Sequence, residues 1–157
     1  CKLGFLETVE KTGRESSKAE CGAKVSVENY HHCFACGKEN PLGLKLSFEF
    51  DDSGRASASF AISSSFEGYP GVIHGGIIST ILDEAMAKAV IHSGKVAYTM
   101  KLNLSFRKPL PSESQVIVMG WIVEDKGRIQ KTAAKLYDEN NLYAEAEAVF
   151  IVSEKEQ

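Results

Sequence analysis

Residues 68–84 read Gly-Tyr-Pro-Gly-Val-Ile-His-Gly-Gly-Ile-Ile-Ser-Thr-Ile-Leu-Asp-Glu, and the reading of this stretch decides the fold. Its second half opens a helix that the spacing carries from Gly75 to about His92. Ile77, Ile78, Ile81, Leu82, Ala85 and Ala89 fall there in one broad apolar stripe. Outward on both sides the apolar period changes to the alternation of strands. Upstream, Leu44, Leu46, Phe48 and Phe50 alternate with Lys45, Ser47 and Glu49. After a turn at Asp51–Gly54, Ala56, Ala58, Phe60 and Ile62 repeat the pattern, which predicts an antiparallel hairpin with one buried face. Residues 63–71 read as a loop. Downstream, Tyr98–Phe106 alternates with Met100, Leu102, Leu104 and Phe106 inward. Gln115–Val123 is apolar on both faces, as a central or interface strand is, and Ile129–Tyr137 and Leu142–Val152 complete the set. Turns fall at Lys126-Gly127 and Asn140-Asn141. The result is an α+β chain in which five or six strands wrap one long helix. A single helix cannot cover so wide a sheet, so a homo-oligomer is expected.

Composition bounds the function. The 157 residues are 43% hydrophobic and 25% charged, as in one ordinary globular domain. Lys plus Arg number 18 against 21 Asp plus Glu, a net charge of −3, which argues against nucleic acid or an anionic membrane as the main partner. No apolar run approaches the roughly 20 residues a bilayer-spanning helix needs, and the start lacks the apolar core of a secretory signal. A cytoplasmic domain with no membrane partner is expected, and the missing initiating Met points to a processed or trimmed start. Residues 1–29, rich in Lys, Glu, Ser and Gly, read as a poorly ordered or loosely packed leader to a domain over 30–157. Of the four cysteines, Cys33 and Cys36 have the spacing of half a zinc site, with His31 and His32 beside them. No second CxxC or HxxxH follows, so the pair reads as a turn with reduced thiols and no metal is expected.

The chemistry concentrates where the helix begins. Gly75 and Gly76 stand at its first turn, where backbone N–H groups are free and the dipole is positive. Without side chains there, a ligand atom can reach the backbone, the make-up of an oxyanion hole or anion site. A tight loop-to-helix junction explains the same glycines. Asp83 lies off the apolar stripe among Ser79, Thr80 and Ala87, with no cation at i±3 or i±4, whereas Glu84 has Lys88 at i+4 as a surface ion pair. A partly buried, unpaired carboxylate is a candidate general base, or else a polar contact across an interface. Asp83 is seven residues from Gly76, roughly 10 Å along a helix. If both act on one carbonyl, Asp83 comes from the helix of a second subunit.

His74-Gly75-Gly76 with Leu82-Asp83, the preceding Gly68-Tyr69-Pro70-Gly71, and Cys33–Gly37 with Asn40–Leu44 resemble the PaaI-like acyl-CoA thioesterases of the hot-dog superfamily. Leu104–Pro109 and Ala144–Phe150 are similar as well, so the likeness runs from about residue 31 to 153. The resemblance implies a six-stranded antiparallel sheet around the helix, dimers or tetramers, and hydrolysis of an acyl-CoA thioester by water without metal or organic cofactor. It implies that the Gly75 N–H, aided by Gly76, polarises the carbonyl, and that Asp83 of the opposing chain activates water or attacks directly. Thr99 is similar to a family Ser/Thr that orients the water, and His74 positions the loop and substrate. Where some relatives carry Asn or Gln, this chain has Glu67 and Gly68, which makes Glu67 a polar contact or a second acid. Arg107 and Lys108, like Lys126 and Arg128, stand as candidates for CoA phosphates, and Phe66, Tyr69, Ile73 and Met86 for an acyl pocket. A non-catalytic acyl-CoA-binding or sensing domain and an enoyl-CoA hydratase are the alternatives on this fold.

Overall fold

The computed structural model describes residues 30–153; the expected leader, with Cys1 and Cys21, lies outside the described residues. The helix α1 spans Gly75–His92, as its spacing predicts. It ends where the Ser93 N–H and Oγ both return to carbonyls of the last turn and Gly94 takes φ +83°. The strands are β1 (Glu49–Phe50), β2 (Ala56–Ala61), β3 (Glu67–Tyr69), β4 (Val72–Ile73), β5 (Ala97–Phe106), β6 (Gln115–Lys126), β7 (Ile129–Tyr137) and β8 (Leu142–Val152). Six of them form one antiparallel sheet in the order β1-β2-β6-β7-β8-β5, and β3 and β4 form a separate hairpin.

The core lies between α1 and the concave face of this sheet. Ile78, Ile81, Leu82, Ala85, Met86, Ala89 and Val90 of the helix are buried against Val116 and Val118 of β6, Ala134 and Leu136 of β7, and Phe150 of β8. Small residues set the spacing. A Cβ at Gly120 would stand 2.4 Å from the Ala85 carbonyl carbon and oxygen, so the helix backbone rests directly on β6. As expected of a doubly apolar strand, β6 is internal to the sheet, paired with β2 and β7. Ile77, placed in the apolar stripe by spacing, is only half-buried and packs against the margin of the core, whereas Met86 and Val90 are fully buried.

Three sequence expectations need correcting. Leu44–Phe50 is not a full strand: only Glu49 and Phe50 pair with β2. Residues 30–48 instead form a strap across the outer side of α1, with Lys45 at φ +54° interrupting the extended run. The alternation still reports burial, since Leu46 is buried and Leu44 and Phe48 are half-buried. The segment 63–71 is not a plain loop, because it holds a turn of 3-10 helix (Ser64–Phe66) and β3, which folds back on β4 through Gly71 at φ +77°. On β5, Met100 does not point inward. A β-bulge between Thr99 and Lys101 shifts the register, leaving Met100 57% exposed. Thr99 pairs with Phe150 and Leu102 with Ala148, both facing the helix, so the bulge lets Thr99 and Leu102 share the inner face. Phe106 does face the helix, yet it is 55% exposed because β5 is the last strand of the sheet.

Candidate functional site

The first turn of α1 is capped by its own flanking histidine. His74 takes an extended conformation, and its Nδ1 accepts the Gly76 N–H at 2.9 Å. The His74 carbonyl accepts the N–H groups of Ile77 and Ile78. Of the first four N–H groups, which a helix leaves without intrahelical acceptors, only that of Gly75 then stands outside this capping arrangement. The glycines make room for the ring. A Cβ at Gly76 would lie 3.1 Å from His74 Nδ1, and one at Gly68 would lie 3.1 Å from His74 Cδ2. The hairpin β3–β4 supplies Gly68 and is joined to the helix entry by the hydrogen bond from His74 N–H to the Phe66 carbonyl. Accepting through Nδ1 places the proton of a neutral His74 on Nε2.

Gly75 faces β5, where the Phe106 ring lies 3.2 Å from the position a Gly75 Cβ would take. Two turns further on, half-buried Asp83 meets the same strand: Thr99 Oγ1 donates to Asp83 Oδ1 at 2.8 Å. Burial raises the Asp83 carboxyl above its ordinary range, the Thr99 hydroxyl lowers it, and Glu84 raises it again. Asp83 is thus partnered by a hydroxyl across the sheet and not by a cation. Ser79 and Thr80 return their hydroxyls to the carbonyls of Gly75 and Gly76, which keeps this helix face small and self-satisfied. In one chain Asp83 and Gly75 lie eight residues apart, about 12 Å along the axis.

The remaining candidates are placed as follows. The Glu67 carboxylate accepts Ser112 Oγ at 2.6 Å and the Gly71 N–H, which hold it below the usual range and make it a brace of the β3–β4 hairpin. Tyr69, at the tip of that hairpin, is 80% exposed. Arg107 is ion-paired with Glu145, Lys108 donates to Asn141 Oδ1 at 2.7 Å, and Lys126 pairs with Glu124 at 2.9 Å. The Arg107 and Lys108 groups are therefore engaged within the chain. Ile73 and Met86 belong to the core, so of the acyl-pocket candidates only Phe66 and Tyr69 retain accessible surface. A cavity of about 640 Å³ on the outer face of the sheet is lined by Arg55, Met119, Trp121 and Tyr137, and includes none of Gly75, Asp83 or Thr99.

A second cluster, of which sequence spacing shows the cysteine pair but not its third member, lies under the strap. Glu84 and Lys88 do pair, at 3.4 Å, but each side chain is only 16% exposed, so the pair is not a surface one. Cys33 Sγ stands 3.9 Å from Glu84 Oε2, and the ligand atoms of Cys33, Cys36 and Glu84 all lie within 4.8 Å of one another. Burial, Glu84 and Cys33 push the Cys36 thiol up to about 12, which excludes it as a nucleophile. His31 and His32 point to Glu39, at 3.7 and 3.6 Å, and away from the cysteines.

A family model described as thioesterase superfamily matches residues 70–145, from the β3–β4 hairpin into β8. Among curated proteins, mouse acyl-coenzyme A thioesterase THEM4 is 33% identical over 122 residues, which is 76% of this chain and 53% of that protein. The chain spans about half the length of the curated relatives it matches. Among solved structures, a thioesterase superfamily protein superposes with a TM-score of 0.74 at 24% identity, covering 77% of this chain and 63% of that one. The Streptococcus mutans UA159 protein smu.793, solved bound to acetyl CoA, gives 0.66 at 18% identity over 71% of this chain and 91% of that one. One helix packed on a six-stranded antiparallel sheet is the hot-dog fold these structures share. Residues 70–145 of this chain thus match the thioesterase superfamily, on the fold that these solved structures share.

Proposed function

We propose that this domain hydrolyses an acyl-CoA thioester to the free acid and CoA at a site shared by two copies of the chain. The observation that carries the reading is the half-buried Asp83 carboxylate, held through one oxygen by Thr99 on an edge strand whose outer side pairs with nothing among the described residues. Thr99 engages Oδ1, leaving Oδ2 to take a proton from water, and the raised carboxyl pKa makes Asp83 a better base than an exposed aspartate. The Gly75 N–H supplies the second requirement, a donor for the carbonyl oxygen as charge develops on it. Because these groups stand too far apart in one chain, the Gly75 N–H of one protomer works with Asp83 of the partner subunit.

Water, deprotonated by Asp83, adds to the thioester carbon. The oxyanion is held by the Gly75 N–H, then the C–S bond breaks and the CoA thiolate takes from Asp83 the proton that water gave up, which restores the carboxylate. Water is the only co-reactant, and neither metal nor organic cofactor enters the step. Tyr69 and Gly76 border the acyl end of this site and His74 fixes its loop. Arg107 and Lys108 meet the CoA phosphates by exchanging Glu145 and Asn141. The relatives named acyl-coenzyme A thioesterase and the fold neighbour bound to acetyl CoA support the substrate class.

A thiol-release assay over acyl-CoAs of graded length, with one aromatic member, tests the reading on wild type and Asp83→Asn together. Loss of a general base is expected to cost about 10²–10⁴ in rate. Full activity in the Asn variant sinks the reading. Acyl-CoA binding without release of thiol in the wild type makes the domain a binding module instead.

A further inference from the structure

We propose that Cys33, Cys36 and Glu84 form a binding site for a divalent cation of the zinc type, which clamps the strap over residues 30–48 onto α1. Three observations converge. The first is ligand spacing. A tetrahedral zinc with bonds of about 2.3 Å to sulfur and about 2.1 Å to oxygen separates its ligands by about 3.6–3.8 Å. Cys33 Sγ and Glu84 Oε2 are 3.9 Å apart, and the third ligand atom stands within 4.8 Å of both. Closing on the ion needs movements of an ångström or less.

The second is a backbone built to present both sulfurs. The Gly37 N–H bonds the Cys33 carbonyl at 2.9 Å and the Cys33 N–H bonds that of Tyr30 at 3.0 Å, curling the chain around the pair. The curl requires glycine after Cys36, because a Cβ at Gly37 would lie 2.4 Å from Cys33 N and 2.5 Å from the His31 carbonyl oxygen. Hydrogen bonds from Leu44 N–H to Phe34 O and from Leu46 N–H to Ala35 O lock the residues between the cysteines against the rest of the strap.

The third is the division of the Glu84 carboxylate. Its Oε1 faces Lys88 Nζ at 3.4 Å, and the ammonium in turn sits 4.7 Å from the centre of the Tyr30 ring. Oε2 is the oxygen that faces Cys33. A ligating carboxylate oriented through its other oxygen by an outer partner is the arrangement metal sites use. Two thiolates, one carboxylate, one ammonium and a divalent ion sum to zero, so the half-buried cluster carries no net charge. With three protein ligands, a solvent molecule completes the tetrahedron. The fold supplies the third ligand from a helix 48 residues beyond Cys36 in sequence, which is why no spacing motif announces it.

The test is metal analysis of the chain purified with reductant, loaded with zinc and desalted, alongside cobalt(II) loading of the same protein. About one zinc per chain and a cobalt spectrum with thiolate charge-transfer and tetrahedral visible bands are expected. Both should vanish in the Cys33→Ser/Cys36→Ser variant, and Glu84→Gln should weaken zinc affinity at least tenfold. If a variant fails to fold, the cobalt spectrum of the wild type decides alone. Less than a tenth of an equivalent of zinc, equal zinc in the double-serine variant, or a Cys33–Cys36 disulfide in place of metal uptake overturns the proposal. None of these readouts depends on hydrolysis, so this site and the thioesterase reading fail separately.

Discussion

Asp83 combines burial, which raises its carboxyl, with a Thr99 hydrogen bond that partly restores the ionised form. An acid whose pKa is raised on folding holds its proton more tightly in the native state, so ionising it withdraws stability as pH climbs from the ordinary aspartate value of about 3.9 through the raised one. Asp83→Asn, which keeps an acceptor for Thr99, is therefore expected to raise Tm at neutral pH while stopping turnover; calorimetry showing a lower Tm would contradict this. The same shift orders the pH profile. Only the ionised form accepts a proton, so kcat/KM should fall on acidification through a limb lying above the usual aspartate range. A limb at or below that range counts against Asp83 as the base. Gly75 allows a cleaner subtraction. Proline suits the first position of a helix, and the extended His74 before it suits proline in turn. Gly75→Pro removes one N–H while the helix stands, and its Cβ meets the edge of the Phe106 ring at 3.2 Å. Loss of one such donor costs about 10²–10³ in kcat, and an unchanged kcat in a folded variant removes Gly75 from the mechanism. That Asp83 carries the candidate chemistry was legible from residue type and helix phase. That Gly76 already gives its N–H to His74 was not, because the ring orientation depends on Gly68, brought in by a hairpin no period announces.

Among the elements, the helix and the four long strands were readable because each buries one face against a single neighbour, and burial on one face writes a period into the chain. Leu44–Phe50 has the same period but no partner until Glu49, since a strap on a helix also alternates between covered and open sides. Pattern reports which side is covered and not by what. The closest helix–sheet approach leaves even less trace, being a single Gly120 in an apolar run. Gly120→Ala puts a methyl 2.4 Å from backbone atoms of Ala85, neither of which is a flexible side-chain end. A loss of about 2–3 kcal/mol in denaturant unfolding is expected, from helix and β6 forced apart. A change below about 0.5 kcal/mol, the ordinary scatter of surface substitutions, would show that α1 does not rest on β6 there.

At the scale of the whole molecule, β5 leaves one edge unpaired among the described residues and carries exposed Tyr98, Met100 and Phe106, an arrangement that invites a second chain. No described helix is long and apolar enough to cross a membrane. If two copies share each site, mixing inactive Asp83→Asn with inactive Gly75→Pro and allowing subunits to exchange rebuilds one intact site in every mixed dimer. Statistical exchange then returns about a quarter of wild-type activity, whereas sites confined to one chain return none. Tyr98→Glu, a charge placed on the open edge, should shift the protein toward monomer in light scattering and lower activity with it. The bulge at Met100 adds a consequence for how such a chain can vary. Replacing Met100 changes one exposed side chain, and deleting it removes the bulge while leaving Thr99 opposite Phe150 and facing Asp83, because Lys101 still pairs with Val149. The spare residue sits where the strand can lose it without disturbing what its neighbours face, so a deletion library and a substitution library should both find position 100 permissive.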